Sequence, residues 1–378
     1  MNVLITGGAG FIGTHLTRHL LELGHEITVL DNFCPQIHAG KKSLIQELQP
    51  HVRLIAGDVA DPSALSPALD LAECVVHLAA ETGTGQSMYE VSRYERTNLA
   101  GTALIYELLT KTRARKVEKI VVASSRAIYG EGAYQCQEHG LVYPSPRTSD
   151  EKRAGLFDLV CPVCGGVCEV APTPETAPLR PTSFYGLTKQ VQEQMVLLFG
   201  KVLSIPSFAL RYQNVYGPGQ SLHNPYTGIL AIFSNLARAG KLIQVFEDGQ
   251  ESRDFVYVED VVRVTAACLS SKAEGHEALN VGSNERASVR MVANEINSYF
   301  GNKSEIKVTG AFREGDIRHG MADLTNVCSV LGYEPRWRFP AGLRKFLGWA
   351  MENEFPENLY EQSLAEMKQR GLLRGRVN

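Results

Sequence analysis

The 378-residue sequence predicts an α/β fold built on a doubly wound parallel sheet, and two observations lead to this prediction. Short apolar segments of strand length alternate with amphipathic segments of helix length through the first half of the chain. A glycine-rich turn separates the first strand from the first helix. Such alternation places helices on both faces of a parallel sheet, and these sheets bind ligands at the carboxyl ends of their strands.

The glycine turn indicates the first ligand. A predicted strand over residues 2–6 leads through the turn into a predicted helix over residues 11–23. The spacing Gly-x-x-Gly-x-x-Gly is a variant of the Rossmann-type dinucleotide fingerprint. Bare backbone lets a pyrophosphate come close, and the helix N-terminus favours its negative charge. Five residues are assigned to this part of a dinucleotide site: Gly7, Gly10, Phe11, Ile12 and Gly13.

Acidic residues follow the next two predicted strands. The strand over residues 26–30 ends in Asp31, whose carboxylate can bind the adenosine ribose and repel a 2′-phosphate, so NAD is favoured over NADP. Asp58 follows the strand over residues 52–56 and is assigned to the adenine edge, although a helix N-cap or a turn explains this aspartate equally well. The same predicted site includes the neighbours Asn32 and Val59.

Small residues end the fourth and fifth predicted strands. The strand over residues 74–78 runs through Leu78 into Ala79 and Ala80, which are small enough to lie against a cofactor. The strand over residues 119–123 ends in two serines, Ser124 and Ser125. Between them, residues 89–112 predict a long helix that contains Asn98.

Composition excludes several function classes. The formal net charge of −3 and the absence of a basic run argue against a nucleic-acid partner. No apolar run reaches the roughly 18 residues of a membrane helix, and the chain opens on the first strand rather than on a signal peptide. Eight cysteines in a chain of this length do not resemble a disulfide scaffold. A cytoplasmic protein without a membrane partner is expected.

The alternation breaks over residues 131–180, which hold prolines, charges and four cysteines. It resumes with a predicted helix over residues 184–199 and a strand over residues 207–211. We therefore expect a dinucleotide-binding domain of residues 1–130 plus 181–215, a cysteine-rich insertion of residues 131–180, a smaller α/β substrate lobe of residues 216–350 and a helical tail of residues 351–378. Further predicted elements are helices over residues 226–239, 258–270 and 288–300 and a strand near residues 244–246.

The second chemical motif is Tyr185-x-x-x-Lys189. On a helix, these two side chains share a face. A nearby ammonium lowers the pKa of a phenol because it stabilises the anion, and a positively charged nicotinamide lowers it further. The phenolate can then take a proton from a substrate hydroxyl while the attached carbon gives hydride to the ring. Tyr-x-x-x-Lys pairs occur often by chance. Ser125 supports a catalytic role for this pair, because its hydroxyl can bridge the substrate oxygen and the phenol.

Taken together, the motifs resemble a known family. In chain order they are the glycine turn, Asp31, His77-Leu-Ala-Ala, Ser124-Ser125-x-x-x-Tyr129-Gly130, Tyr185-x-x-x-Lys189, Arg211-Tyr-x-Asn214-Val-Tyr-Gly-Pro218 and Arg253-Asp-Phe255. The set is similar to the extended short-chain dehydrogenases/reductases that act on nucleotide sugars, over about residues 1–350. The resemblance implies NAD as cofactor, a nucleotide-sugar substrate and a homodimer formed through the helices at residues 89–112 and 184–199.

The resemblance also implies residue roles. The catalytic residues are Ser125, the base Tyr185 and its partner Lys189. Asn98 and Val215 match positions on the nicotinamide side. The nucleotide diphosphate is assigned to Asn214, Arg253 and Arg313, because arginines are fixed, always charged donors. The hexose is assigned to Gln86, Ser87, Ser125 and Arg126.

The same resemblance distinguishes between reactions. The 4,6-dehydratases of the family place an Asp-Glu pair directly after the catalytic serine or threonine, and this chain has Arg126 and Ala127 there. A 4-epimerase working through a 4-keto sugar is therefore expected. The chain is also similar to 4-epimerases of dTDP-linked 6-deoxyhexoses, at residues 85–89, 129–134, 220–228 and 315–319. It departs from them at two positions: Arg126 stands where a small or apolar residue is usual, and Gln213 stands where phenylalanine is usual. The alternatives are a UDP-hexose 4-epimerase, a 4-reductase or a non-enzymatic NAD-binding scaffold.

The insertion predicts a structural zinc site. Cys136-x-x-His139 and Cys161-x-x-Cys164 supply four nitrogen and sulfur ligands, and two glycines follow Cys164. The insertion has few apolar residues, so metal binding would supply its folding energy. Cys168 is a possible substitute for His139. The alternatives are four unrelated reduced side chains, a disulfide such as Cys161–Cys168, or a zinc-ribbon interaction module.

Overall fold

The structure is a computed structural model that describes residues 1–38, 47–111, 116–222, 224, 228–273, 275–353 and 359–375. Seven parallel strands form its central sheet: β1 (Asn2–Thr6), β2 (Glu26–Asp31), β3 (Arg53–Ala56), β4 (Cys74–His77), β5 (Lys119–Ser125), β6 (Ser207–Tyr212) and β7 (His276–Val281). Their spatial order is β7-β6-β5-β4-β1-β2-β3. The prediction of a doubly wound parallel sheet is confirmed.

Helices cover both faces of this sheet because its strands are apolar on both sides. Val3 and Ile5 of β1 pack on one face with the helices Phe11–Glu22 and Val258–Ser270. Leu4, between them, packs on the opposite face with helices that include Pro62–Leu69, Gly101–Lys111 and Phe184–Leu203. The carboxyl ends of the strands stay uncovered by this packing, and the candidate site lies there.

One segment lies differently from the predicted domain division. Strand β7 pairs with β6 at the edge of the central sheet, and the helix Val258–Ser270 packs on the sheet beside the first helix. The helix Val258–Ser270 and strand β7 therefore lie with the dinucleotide-binding domain rather than with the substrate lobe. The sequence pattern did not reveal this, since β7 is separated from β6 by strands and helices of the lobe.

The substrate lobe is built on short strands and three helices. Asn214–Tyr216 runs parallel to Ser252–Tyr257, which also pairs antiparallel with Arg286–Ser288. Aromatic rings fill the core, with Phe255 stacked on Phe339 at 5.0 Å between ring centroids. The other elements are the strand pair Ile243–Val245 and Ile306–Val308 and the helices Ile229–Arg238, Val289–Tyr299 and Phe339–Met351. Tyr226, at the start of the predicted helix, lies outside the described residues.

The insertion and the tail have structure of their own. Within the insertion, Tyr134–Cys136 pairs antiparallel with Gly140–Val142 and with Glu169–Val170, and a short helix, Ser149–Arg153, follows. In the tail, the helix Leu359–Gln369 precedes a strand, Leu373–Arg374, that pairs with Phe312–Arg313.

The predicted helix at residues 89–112 consists of three consecutive helical segments, Val91–Tyr94, a π-helical Glu95–Ala100 and Gly101–Lys111, and Thr112 lies outside the described residues. The remaining helical segments are Pro35–His38, Gln49–His51, Thr84–Ser87, Arg126–Ile128 and Thr325–Leu331. Within the described part of the chain, every helix is too short or too polar to span a membrane.

Candidate active site

A cavity of about 560 Å³ lies between the carboxyl ends of the central strands and the substrate lobe. It brings together residues that are far apart in sequence. The predicted site residues that line it are Gly7, Gly10, Phe11, Ile12, Gly13, Asp31, Asn32, Val59, Leu78, Ala79, Ala80, Ser125, Arg126, Tyr185, Lys189, Asn214, Val215, Arg253 and Arg313. The described geometry therefore unites the two anchors of the sequence analysis, the glycine turn and the Tyr-Lys pair.

The glycine turn fits a dinucleotide pyrophosphate. Gly7 has a φ of +71°, and a Cβ on it would lie 2.7 Å from the backbone nitrogen of Ala79. A Cβ on Gly13 would lie 2.5 Å from the carbonyl oxygen of Gly7. Gly10 begins the helix Phe11–Glu22 without a side-chain cap, so the amides of the first turn are left for a ligand. Side chains are therefore excluded at Gly7 and Gly13, and the turn lines the cavity with backbone.

Asp31 ends β2 at the edge of this turn. One carboxylate oxygen accepts a hydrogen bond from the amide of Ala9 at 3.1 Å, and the other accepts one from the amide of Phe33 at 2.9 Å. His38 Nε2 lies 3.4 Å from the same carboxylate. These contacts fix the carboxylate on the cavity wall, where it suits the two hydroxyls of an adenosine ribose.

Tyr185 and Ser125 form the centre of the site. Ser125 ends β5, and its hydroxyl oxygen accepts a hydrogen bond from the amide of Ala127 at 3.1 Å. Tyr185 lies in the first turn of the helix Phe184–Leu203, where Ser183 is the N-cap. Burial raises the pKa of Tyr185, whereas its hydrogen bond with Ser125 and the charge of Arg126 lower it. The phenol is therefore held beside the hydroxyl that the sequence assigned to it.

Lys189 is buried behind Tyr185. Its ammonium nitrogen donates to the carbonyl oxygen of Ala123 at 2.9 Å and to Gln192 Oε1 at 2.7 Å. Burial lowers the pKa of Lys189 to about 7. The sequence analysis predicts that Lys189 lowers the pKa of Tyr185, and this stays a prediction. The structure adds Ser125 and Arg126 as groups that lower this pKa.

Arg126 faces the cavity between the catalytic and the substrate sides. Its Nε donates to Asn214 Oδ1 at 3.2 Å. Burial and the neighbouring charge of Arg253 lower the pKa of Arg126 to about 10, so the guanidinium is charged at neutral pH. The cavity thus presents a cation close to the reacting end of the tyrosine.

The two predicted diphosphate arginines differ in their surroundings. Arg253 is 6 % exposed and donates to Asp316 Oδ1 at 2.6 Å and to the carbonyl oxygen of Ile317 at 2.9 Å. Although burial opposes the charge of Asp316, the nearby arginines lower its pKa to about 2. Arg313 instead lies over the ring of Phe246, and its Nε is buried without a hydrogen-bond partner. Of these two arginines, Arg313 therefore has a donor, its Nε, that can bind a ligand.

Other unpartnered polar atoms gather on the same side of the cavity. Among the described residues, buried atoms without a partner include Gln213 Oε1, Gln220 Oε1, Ser221 Oγ, Glu251 Oε2 and Arg313 Nε, and all five residues line the cavity. Buried polar atoms are normally hydrogen-bonded. Their concentration here fits a polar ligand that supplies the missing partners, as a nucleotide sugar would.

Four predicted site residues do not line the cavity. Asn98 is buried and hydrogen-bonds the backbone of Glu81 and the hydroxyl of Thr188. Ser87 accepts a hydrogen bond from the amide of Tyr185 at 3.0 Å, and Gln86 is paired with Gln36 and Glu90. Asp58 accepts from the amide of Ala60 and lies 3.7 Å from Arg96, as the alternative of a turn aspartate predicted. These four residues therefore bind other protein groups behind the cavity wall and are not part of its lining.

The structure adds wall residues that the sequence analysis missed. Three belong to the tail, Tyr360, Met367 and Leu372, and Tyr360 hydrogen-bonds Arg313. The sequence of the tail helix is charged and contains no motif, so it did not indicate that this helix would cover the site. Glu251 is another wall residue that the sequence analysis missed. Its burial and the nearby charge of Glu247 raise the pKa of Glu251 to about 7.

The cysteine pairs of the insertion meet at a second place. The ligand atoms of Cys136, His139, Cys161 and Cys164 all lie within 4.8 Å of one another. Cys168 is not in this group and its thiol donates to the carbonyl oxygen of Gly166 instead.

Comparison with known proteins identifies the family. The model of the NAD dependent epimerase/dehydratase family matches residues 3–149 and 161–282. The chain belongs to this family. A curated relative, dTDP-L-rhamnose 4-epimerase of Burkholderia thailandensis, is 39 % identical over 349 residues, which are 92 % of this chain and 94 % of the relative. This confirms the family predicted from the motifs.

Solved structures give the same result. UDP-glucuronic acid 4-epimerase of Bacillus cereus, in complex with UDP-glucuronic acid and NAD, has a TM-score of 0.77 and 25 % identity, covering 93 % of this chain and 99 % of the other. UDP-glucose 4-epimerase of Thermotoga maritima with UDP-glucose has a TM-score of 0.73 and 27 % identity, with the same coverage. The predicted NAD-dependent nucleotide-sugar epimerase is confirmed at the level of the family.

Proposed function

We propose that the chain is an NAD-dependent nucleotide-sugar 4-epimerase that interconverts dTDP-L-rhamnose and dTDP-6-deoxy-L-talose through a 4-keto sugar. The main support for the proposal is that Ser125, Tyr185 and the glycine turn line the same cavity. The substrate side of this cavity contains buried polar atoms without hydrogen-bond partners. The relative that is 39 % identical supports the choice of sugar.

Each residue of the centre has a task. Bound NAD would accept the hydride of C4 and return it. Tyr185 takes the proton of the C4 hydroxyl and gives it back after the sugar has turned, since its phenol oxygen is the titratable atom beside Ser125. Ser125 orients that hydroxyl. Arg126 stabilises the phenolate by its charge, and Lys189 fixes the end of β5 through the carbonyl oxygen of Ala123.

Elimination of water is disfavoured by the same geometry. The positions that follow Ser125 are Arg126 and Ala127, and neither can donate a proton to a leaving hydroxyl at neutral pH. Asp316, which is ion-paired with Arg253 and acts on Arg126 by its charge, has a pKa of about 2. It is therefore ionised at neutral pH and cannot serve as the general acid of an elimination.

The test is incubation of the purified protein with dTDP-L-rhamnose, dTDP-D-glucose, UDP-glucose and UDP-glucuronic acid, with products identified by NMR. We expect conversion of dTDP-L-rhamnose to a mixture with dTDP-6-deoxy-L-talose without added NADH. Conversion of a UDP-hexose alone would assign the chain to that sugar. Net formation of NADH from added NAD, with release of a 4-keto sugar, would identify a 4-reductase that runs in reverse on these substrates. No turnover of any of the four by NAD-loaded protein would contradict the proposal.

A homodimer completes the proposal. The helix Phe184–Leu203 exposes Leu187, Leu198 and Val202 at 45 %, 58 % and 66 %, and their spacing places them on one face. Val91, on the neighbouring segment, is 45 % exposed. Light scattering should give twice the mass of one chain, and the double substitution Leu198→Glu with Val202→Glu should halve it. A wild-type mass of one chain would exclude the dimer.

A further inference from the structure

We propose that Cys136, His139, Cys161 and Cys164 bind one structural zinc ion, and that this ion holds the insertion against the substrate wall of the cavity. The distances match a tetrahedral site. Cys136 Sγ lies 3.7 Å from Cys164 Sγ, and His139 Nδ1 lies 3.7 Å from the sulfurs of both Cys136 and Cys161. With Zn–S of about 2.3 Å and Zn–N of about 2.0 Å, a tetrahedron has S–S edges of about 3.8 Å and S–N edges of about 3.5 Å.

Two tight turns present the ligands. Cys136 is paired with Gly140 at the end of an antiparallel hairpin whose turn carries His139. In the second turn, the amide of Cys161 donates to the carbonyl oxygen of Gly166 at 2.8 Å, and Gly165 has a φ of +74°. The amide of Val163 donates to Cys161 Sγ at 3.4 Å. A backbone donor aimed at the sulfur stabilises a thiolate, which is the form that binds zinc.

The insertion has too small a core to explain this convergence by packing. Its buried cluster has six residues, and three of them are cysteines: Tyr134, Cys136, Val142, Leu159, Cys161 and Cys168. Meanwhile, Val160, Val163 and Val167 around the second turn are 44 %, 68 % and 69 % exposed. The four cysteines of the insertion are free thiols, and Cys136 Sγ and Cys164 Sγ are 3.7 Å apart, whereas the sulfurs of a disulfide are about 2.05 Å apart. Metal binding supplies the folding energy that burial does not.

The site is structural rather than catalytic. Four protein ligands leave no open position on a tetrahedral ion. In addition, none of the four residues lines the cavity. The effect of the ion on the active site is therefore indirect, through the rest of the insertion.

Several side chains of the insertion contact the loop at residues 313–319, and three of them are Arg147, Lys152 and Asp158. Arg147 is ion-paired with Glu247 at 2.7 Å and donates to the carbonyl oxygen of Asp316 at 3.3 Å. Lys152 donates to Glu314 at 3.0 Å, and Asp158 is ion-paired with Arg318 at 2.9 Å. The loop carries Arg313 and Asp316 of the cavity wall. Loss of the ion should release these contacts and loosen the substrate wall, whereas the glycine turn should be unaffected.

The first test is the zinc content of the full chain, expressed without a polyhistidine tag and purified without chelator. We expect about one zinc per chain by mass spectrometry, and loss of it in the double variant Cys161→Ser with Cys164→Ser. Cys168→Ser, in the same insertion, and Cys328→Ser, which is exposed elsewhere, should keep it. Metal-free wild type, or a double variant that retains zinc, would overturn the site.

The second test needs no variant that could fail to fold. Cobalt-substituted wild type should show the absorption bands of a tetrahedral thiolate-imidazole site, and chelation should speed hydrogen–deuterium exchange at residues 313–319 by about tenfold or more. Exchange at residues 7–13 should not change. Absence of the cobalt spectrum would contradict the ligand set, and unchanged exchange at residues 313–319 would contradict the coupling. Both readouts are independent of the proposed reaction.

Discussion

The turn at residues 7–13 faces the cavity with backbone, whereas the loop at residues 313–319 faces it with charged side chains. The glycine turn is fixed by local contacts, such as the close approach of Gly13 to Gly7. The loop is fixed by ion pairs with Asp158 and Arg253 and by a hydrogen bond from Arg147, all from other segments of the chain. Backbone packing thus shapes the cofactor side of the cavity, whereas ion pairs and hydrogen bonds between distant segments shape the substrate side. Substitutions on the two sides should therefore fail in different ways.

The largest effect is expected where the two sides meet. Tyr185→Phe removes the titratable oxygen but little volume, so turnover should fall by about 10² to 10⁴ while NAD binding and folding survive. The control is Tyr106→Phe, which removes a buried hydroxyl outside the cavity and should retain activity. Steady-state kinetics with calorimetry of NAD binding measures both. Near-normal turnover of Tyr185→Phe would exclude this residue as the base.

On the substrate side, Arg313→Gln should weaken nucleotide-sugar binding by about 10- to 100-fold, the value of a charge-assisted hydrogen bond, with only a small loss of melting temperature. The matched variant Arg253→Gln leaves Asp316 without its ion-pair partner and should lower the melting temperature. Calorimetry and thermal unfolding separate the two. Equal melting temperatures for both variants would show that the arginines do not differ in the way the contacts indicate.

On the cofactor side, Gly13→Ala places a Cβ 2.5 Å from backbone and should weaken NAD binding by about tenfold or more and lower stability by about 1–3 kcal/mol. Gly348→Ala is the control, because it is also helical and has no atom within 4 Å of the added Cβ. That variant should be as stable as the wild type or more so. If the two alanines behaved alike in calorimetry and thermal unfolding, close approach would not be the reason for the glycine.

A smaller effect is expected for Asp31→Ala. Removing the carboxylate should weaken NAD binding and reduce the preference for NAD over NADP by about tenfold. Titration of both dinucleotides by calorimetry measures the ratio. Tighter binding of NADP than NAD by the wild type would show that Asp31 does not set the preference.

The difference between the two sides also explains what the sequence could predict. The glycine spacing and Asp31 are close in sequence to the strands that place them, so this part of the cofactor side could be predicted from the sequence. Gln86, Ser87 and Asn98 were assigned by resemblance to the ligand, yet their polar atoms bind protein groups. The tail residues Tyr360 and Met367 reach the cavity through tertiary packing, which no local pattern encodes. Strand β7 escaped detection for the same reason.

The measurement that tests the proposed chemistry most directly is the fate of deuterium at C4 of dTDP-L-rhamnose. If Tyr185 takes only the hydroxyl proton and the C4 hydrogen moves as hydride within the closed cavity, the label should remain at C4 in dTDP-6-deoxy-L-talose. NMR of the product in ordinary water gives the answer. Retention of the label is the predicted result, and its exchange with solvent would contradict the account, because it would show that the C4 hydrogen leaves as a proton.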